Sequence, residues 1–261
     1  MLRPRIIPCL LIHHGGLVKT QGFKDPKYVG DPINAVRIFN EKEADELMVL
    51  DIDATVNKVA PDIALIAKLA AECRMPLCYG GGVTTAEQVV RIVDMGVEKV
   101  AVSAAVIASP TLLTKMAAAV GRQSVVAVLD VRKRTGLFAK GYELCTHNSK
   151  TVHKLDPVVF AKQLQDAGAG EIVINSIDRD GLMQGYDLEL AAQFKQALKV
   201  PLTFLGGAGS LDHMVELISK LGVVGAAAGS LFVFKGRYRA VLINYPTPKQ
   251  KVELCRKALK Y

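Results

Sequence analysis

The sequence predicts an α/β chain closed as a (β/α)8 barrel with a two-fold half-barrel repeat. Three observations carry that prediction: short apolar runs alternate with longer segments of helical period, eight such units fit the 261 residues, and one half of the chain can be laid over the other. Half of the residues are hydrophobic, 22% are charged and 6% aromatic. That is the balance of one soluble globular domain with a large core, and it excludes disorder, collagen and repeat arrays. Residues 1–261 are therefore read as one barrel domain, with a basic tail of helical period from about residue 244.

The predicted strands, in order, are RIIPCLLI, ELMVLDI, MPLCYGG, KVAVSA, SVVAVLD, EIVINSI, PLTFLGG and GVVGAAAG. Each is nearly continuously apolar, the pattern of a parallel strand covered on both faces. Between them lie amphipathic stretches such as DIALIAKLAAEC, TAEQVVRIVDMG, DPVVFAKQLQDAG and SLDHMVELISKLG. These open on Asp, Thr or Ser, and several close before Gly, as capped helices do. An open doubly wound sheet would show the same alternation, but the repeat favours closure. Asp51 to about Ile107 aligns with Ser176 to about Phe232 at an offset of 125 residues, pairing Pro76 with Pro201, Asp62 with Asp187 and Glu46 with Glu171. YGGGVTTAEQ answers LGGAGSLDHM, and VSAAV answers AAGSL. Two similar (βα)4 halves close naturally into a barrel.

The N-terminal apolar run spans only about seven residues, holds Pro8 and lacks a small-residue cleavage site, so it reads as a strand and not a signal peptide. No stretch reaches the ~18 apolar residues of a membrane span, and a cytoplasmic protein is expected. The five cysteines are odd in number and show no CxxC. Neither a disulfide framework nor a metal site is predicted from them. Lys and Arg exceed Asp and Glu by 33 to 25 without forming a long basic run. That charge suits anionic small molecules, not nucleic acid.

In such a barrel, ligands bind at the C-terminal ends of the strands. The repeat places Gly80, Gly81 and Gly82 on one side of that mouth and Gly206, Gly207 and Gly209 on the other, with Ser103, Gly229 and Ser230 after the following strands. Glycines ahead of helix starts let backbone N–H groups approach a phosphate, and the duplicated set predicts a phosphorylated ligand with a phosphate at each end. Asp130 is placed at the end of the fifth strand, Asp51 at the end of the second, and Asp178 and Asp180 at the end of the sixth. Those carboxylates suit proton transfer, although Asp51 and Asp178 equally fit a role in capping loops. The connection VRKRTGLFAKGYELCTHNSKTVHKL carries six Lys or Arg against one Glu and predicts a short hairpin over the ligand. His13, His14, His147 and His153 show no spacing that defines a site. At the opposite end, four strands begin with Arg5, Glu46, Lys99 and Glu171, two positives and two negatives that fit either a salt-bridged plug or a gate.

RIIPCL, the GDP at Gly30–Pro32, EADELMVLDI, YGGGV, DAGAGEI, NSIDRDG, GYDLEL and GGAGS together resemble the cyclase subunit of imidazole glycerol phosphate synthase, the HisF family, along nearly the whole chain to about Phe234. The resemblance implies a separate glutamine-hydrolysing subunit, HisH-like, on the N-terminal face. It also implies ammonia passing a gate of Arg5, Glu46, Lys99 and Glu171, a loop lysine at Lys19, an acid/base group at Asp130, and no cofactor or metal. One departure matters: the family's first catalytic aspartate is replaced by Leu11. Leucine carries no proton, and loss of such a group costs about 10² to 10⁴ in rate. Ser103 and Ala104 also replace the family's Asn-Thr pair.

A drifted mouth over an intact gate resembles HisF-like paralogues found beside sugar amidotransferases of surface-polysaccharide biosynthesis. That likeness implies ammonia delivery to a third protein that turns an acetamido into an acetamidino sugar. Two alternatives stay open. One is a working cyclase that makes imidazole glycerol phosphate and AICAR from the ribonucleotide PRFAR and ammonia, with Asp130 alone or with Asp180 standing in at the mouth. The other is a non-catalytic phosphate-sugar scaffold in which the charged ring is only a plug.

Overall fold

A computed structural model describes residues 3–136 and 139–259. Eight parallel strands form the barrel: β1 (Arg5–His13), β2 (Leu47–Asp51), β3 (Leu77–Gly80), β4 (Lys99–Val102), β5 (Val125–Lys133), β6 (Glu171–Ser176), β7 (Leu202–Leu205) and β8 (Gly225–Ala228). Each pairs with the next, and β8 pairs with β1 in a register that sets Ile6 opposite Ala226. All eight predicted strands are present and the barrel is closed. The β5–β6 seam has the longest register among these pairings, from Glu171 opposite Val126 to Ser176 opposite Val131.

Alternation along the strands divides the apolar residues into two cores. Ile7, Cys9, Met48, Cys78, Val126, Val128 and Val173 pack together inside the barrel, with Leu11 and Leu50 partly buried against them. Ile6, Leu10, Ile12, Val125 and Leu129 point the other way and pack under the helices. The helical layer comprises α1 (Pro32–Glu41), α2 (Ile63–Glu72), α3 (Ala86–Asp94), α4 (Ala104–Ala108), α5 (Thr111–Val120), α6 (Pro157–Ala167), α7 (Leu188–Ala197), α8 (Leu211–Leu221), α9 (Ser230–Val233) and α10 (Pro248–Leu259). No helix among the described residues is long and apolar enough to cross a membrane.

The half-barrel repeat reaches the helix caps. Asp62 accepts from Leu65 N at the start of α2, and Asp187 accepts from Leu190 N at the start of α7, each at 3.0 Å. Thr85 caps α3 through Gln88 N, and Ser210 caps α8 through His213 N. Both pairs keep the 125-residue offset.

Two excursions break the plain βα alternation, both at the C-terminal end of the barrel. After β1 the chain turns back as the antiparallel strands Gly16–Gln21 and Lys24–Gly30, a hairpin that is not among the predicted elements. After β5 the basic connection forms the expected hairpin, with Tyr142–Thr146 antiparallel to β5 and Thr151–His153 beyond it. The C-terminal tail is helical, as its period predicts, but more firmly held than a solvated helix. Leu254 and Ala258 of α10 are buried, and the Tyr245 hydroxyl ahead of it donates to Ile6 O at 2.8 Å.

The twin caps generate a test. Asp62→Ala should cost about 1 kcal/mol, the usual worth of an N-cap. Asp187→Ala should cost more, because Asp187 also accepts from the buried Tyr142 hydroxyl at 3.1 Å and its loss orphans that group. Urea unfolding of the two variants should show that order.

Candidate functional site

The C-terminal ends of the strands open into a cavity of about 540 Å³. Asp130 stands on its wall. Its Oδ1 accepts from Asn175 Nδ2 at 2.9 Å, because the β5–β6 register sets those two residues side by side. Burial, aided by the negative charge of Asp180, outweighs the Asn175 bond and pushes the Asp130 carboxyl up to about 6. A carboxyl in that range exchanges protons near neutral pH, as a general acid/base group must. Leu11 lines the same cavity from β1, beside Leu50 and Cys9. The position at which the HisF resemblance implies a second carboxylate is thus part of an apolar floor.

Asp180 sits differently from the sequence expectation. β6 stops at Ser176, and a single 3-10 turn, Ile177–Arg179, separates it from Asp180. The buried Asp180 carboxylate meets Lys19 Nζ at 2.6 Å through one oxygen and accepts from Thr20 Oγ1 at 2.7 Å and Phe23 N at 3.2 Å through the other. It fastens the first hairpin over the mouth. Lys19 is buried with it, and its stem lies over Gly229, where a Cβ would come within 2.8 Å of the lysine Cε. Asp178 is also past the strand; it is exposed and accepts from Lys133 N at 2.7 Å. Asp51 does end β2, and its Oδ1 accepts from Asp53 N and Ala54 N. Both act as loop braces.

Gly81 and Gly206 adopt positive φ, 129° and 100°, and so do Gly82 and Gly207. A Cβ on Gly81 would strike the Asp51 carbonyl and one on Gly206 the Ser176 carbonyl, so both positions require glycine for packing alone. All four line the cavity, as do Ser103, Gly229 and Ser230. The Ser103 and Ser230 hydroxyls are buried without a protein partner, two polar atoms free for a ligand.

The histidines do find partners. His13 Nδ1 lies 2.7 Å from Asp53 Oδ1, and His14 N donates to Asp53 Oδ2 at 2.7 Å, across a tight turn in which His14 has φ 49°. Asp53 in LDIDAT gave no signal because it meets the turn only after β1 and β2 pair. This is the group among the described residues with metal-ligand proximity. Both Asp53 oxygens, however, are already used in closing the turn. His147 and His153 share the Thr146 hydroxyl, and His147 and Asn148 line the cavity.

At the N-terminal end the four charged residues form a closed ring. Arg5 reaches Glu46 Oε2 through Nη1 and Glu171 Oε1 through Nη2, the latter at 2.7 Å. Lys99 Nζ lies 2.9 Å from Glu46 Oε2 and 3.0 Å from Glu171 Oε2. Each cation therefore bridges both carboxylates. Burial alone would raise the Glu171 carboxyl, but its bond to Arg5 and the charges of Arg5 and Lys99 hold it down at about 2. Arg5 and Lys99 are raised in turn despite burial. Above the ring stands the inner apolar core, whose Cys9 thiol is pushed up to about 12 by burial and stays uncharged. Among the described residues, Asn175 and Thr203 enter the mouth and the ring without any sequence forecast. Asn175 lies one residue before the end of its strand, beside Asp130, and that position near a strand end was the available signal.

The raised Asp130 carboxyl makes a stability prediction. Its folded value lies above the ordinary 3.8, so native structure is favoured by the protonated form below pH ~4 and loses that contribution as pH rises through ~6. Asp130→Asn should therefore stabilise the chain at pH 7.5, by up to about 3 kcal/mol, and leave it unchanged at pH 3.5. Urea titrations at the two pH values measure the difference.

Comparison with known proteins agrees with this architecture. The family described as "Histidine biosynthesis protein" matches residues 5–239. A Vibrio vulnificus protein named "Putative imidazole glycerol phosphate synthase subunit hisF3" is 57% identical over 96% of this chain and 96% of its own length. A Leptospira interrogans protein named "Putative imidazole glycerol phosphate synthase subunit HisF" is 54% identical over 97% of this chain and 99% of its own. The "Imidazole glycerol phosphate synthase subunit HisF" of Clavibacter michiganensis is 38% identical over 88% of this chain and 87% of its own. With its closed barrel and these relatives, the chain belongs to the histidine biosynthesis protein family as a HisF-type barrel subunit.

Proposed function

We propose that this chain is the barrel subunit of a glutamine amidotransferase complex that delivers ammonia to an acetamido sugar in polysaccharide biosynthesis. A HisH-like glutaminase docks on the N-terminal face. Ammonia passes the ring of Arg5, Glu46, Lys99 and Glu171, rises through the apolar interior and emerges at the mouth, where a third protein presents the acceptor. The observation that supports this reading is the pairing of a complete ion ring at the foot of the barrel with an apolar Leu11 at its mouth. The apolar interior favours neutral ammonia over ammonium, since burying an unpaired charge is costly. Asp130 exchanges a proton with the ammonia as it emerges, whereas the attack on the acetamido carbon and the departure of its oxygen belong to the third protein. The glycine pairs with Ser103 and Ser230 hold a phosphorylated ligand at the mouth.

The second reading, a histidine-pathway cyclase, draws on the relatives' names, which describe imidazole glycerol phosphate synthase subunits. Against it stands the geometry of Asp180, whose two oxygens are already engaged by Lys19, Thr20 and Phe23. A purified chain supplied with PRFAR and concentrated ammonium salt should form no imidazole glycerol phosphate at enzymatic rates. Formation at ordinary rates would establish the cyclase instead. Leu11→Asp should raise cyclase activity by about 10² or more if the missing carboxylate is the sole deficit. The third reading, a plugged scaffold, is separated by Lys99→Met in the complex. A gate predicts a folded variant in which glutamine hydrolysis is uncoupled from ammonia use; a plug predicts loss of folding.

A further inference from the structure

Thr203 lies on β7 beside Glu171 of β6, fully buried, and its hydroxyl donates to Glu171 Oε1 at 2.6 Å. Arg5 Nη2 reaches the same hydroxyl at 3.4 Å. Gly225 stands opposite Thr203 in the β7–β8 register, and a Cβ at 225 would overlap the Thr203 side chain. The glycine thus makes the room in which the hydroxyl meets the ring.

The two oxygens of Glu171 are served unequally. Oε1 accepts from Arg5 Nη2 at 2.7 Å and from Thr203 at 2.6 Å, whereas Oε2 accepts from Lys99 at 3.0 Å and from Arg5 Nη1 at 3.2 Å. Removing Arg5 leaves one donor on each oxygen. Removing Lys99 leaves Oε2 with the long Arg5 contact alone. Exposure points the same way: the Arg5 side chain is 28% accessible, against 12% for Lys99, 6% for Glu171 and 3% for Glu46. Displacing Arg5 strands no buried carboxylate, and Arg5 is already the most solvated member.

We propose that Thr203 is a fifth member of the ring, a positioning residue that pins Glu171 to β7, so that the ring opens by movement of Arg5 while Lys99 and both carboxylates stay in place. The opening rests on the gate reading above; the pinning does not.

The test follows the carboxylate carbon of Glu171 by 13C NMR between pH 7 and 4 in the native chain, Thr203→Val and Thr203→Ser. Valine keeps the shape and loses the donor, whereas serine keeps the donor. The native chain and Thr203→Ser should show a flat trace over this range. Thr203→Val should begin to titrate, its midpoint moved up by about one pH unit for the lost hydrogen bond to the charged form. A Thr203→Val trace as flat as the native one would overturn the pinning. Should the valine variant fail to fold, 15N relaxation of the native side chains decides the rest: Arg5 Nε should be more mobile than Lys99 Nζ, and an Arg5 as rigid as Lys99 would overturn its role as the moving member. Neither readout involves ammonia, so failure of the gate reading would leave both results standing.

Discussion

Closure of the barrel along the β5–β6 seam is the constraint from which both ends of the molecule follow. That pairing sets Asn175 beside Asp130 at the mouth and carries Glu171 into the ring at the foot. A parallel strand is held in register by burial on both faces, and a slip of one residue would turn the slipped strand's inward set out of the barrel, Asp130 if β5 moved or Glu171 and Asn175 if β6 did. The acid at the mouth and the ring at the foot are therefore two consequences of one register, tied across the length of a single pair of strands.

The two ends treat charge in opposite ways. At the foot, two buried carboxylates meet two partly buried cations, and each is compensated by two of the others, so desolvation is offset by mutual attraction and hydrogen bonding. At the mouth, Asp130 has one neutral donor and no cation partner in its hydrogen bond, and its carboxyl rises toward neutrality. Lys19, a cation at the same mouth, is turned to Asp180, where it fastens the hairpin. A charged ring below, an uncharged interior and a proton-exchanging acid above form a gradient suited to a small basic molecule that must travel neutral.

Much of this was legible in the sequence because it depends on local pattern. Eight apolar runs, the caps Asp62 and Asp187, and the ring residues at strand starts all sit where periodicity and the 125-residue repeat put them. What escaped depends on contacts across the fold. Asp180 read as a strand-end acid because sequence gives no sign that a 3-10 turn intervenes, or that Lys19 and Thr20 fold back to meet it. His13 and His14 read as unpartnered because Asp53 reaches them only through strand pairing. The glycines at 81 and 206 read as phosphate contacts, yet their close approach to the Asp51 and Ser176 carbonyls already demands glycine.

In the proposed complex the ring end of the barrel is the docking face for a glutaminase and the mouth is the exit. Hydrogen exchange of the chain, alone and mixed with a HisH-like glutaminase, tests it most directly. Exchange should slow at the amides around Arg5, Glu46, Lys99 and Glu171, with the mouth hairpins unchanged. Protection confined to the hairpins at Lys24–Gly30 and Tyr142–Thr146, or none at saturating partner, would contradict it.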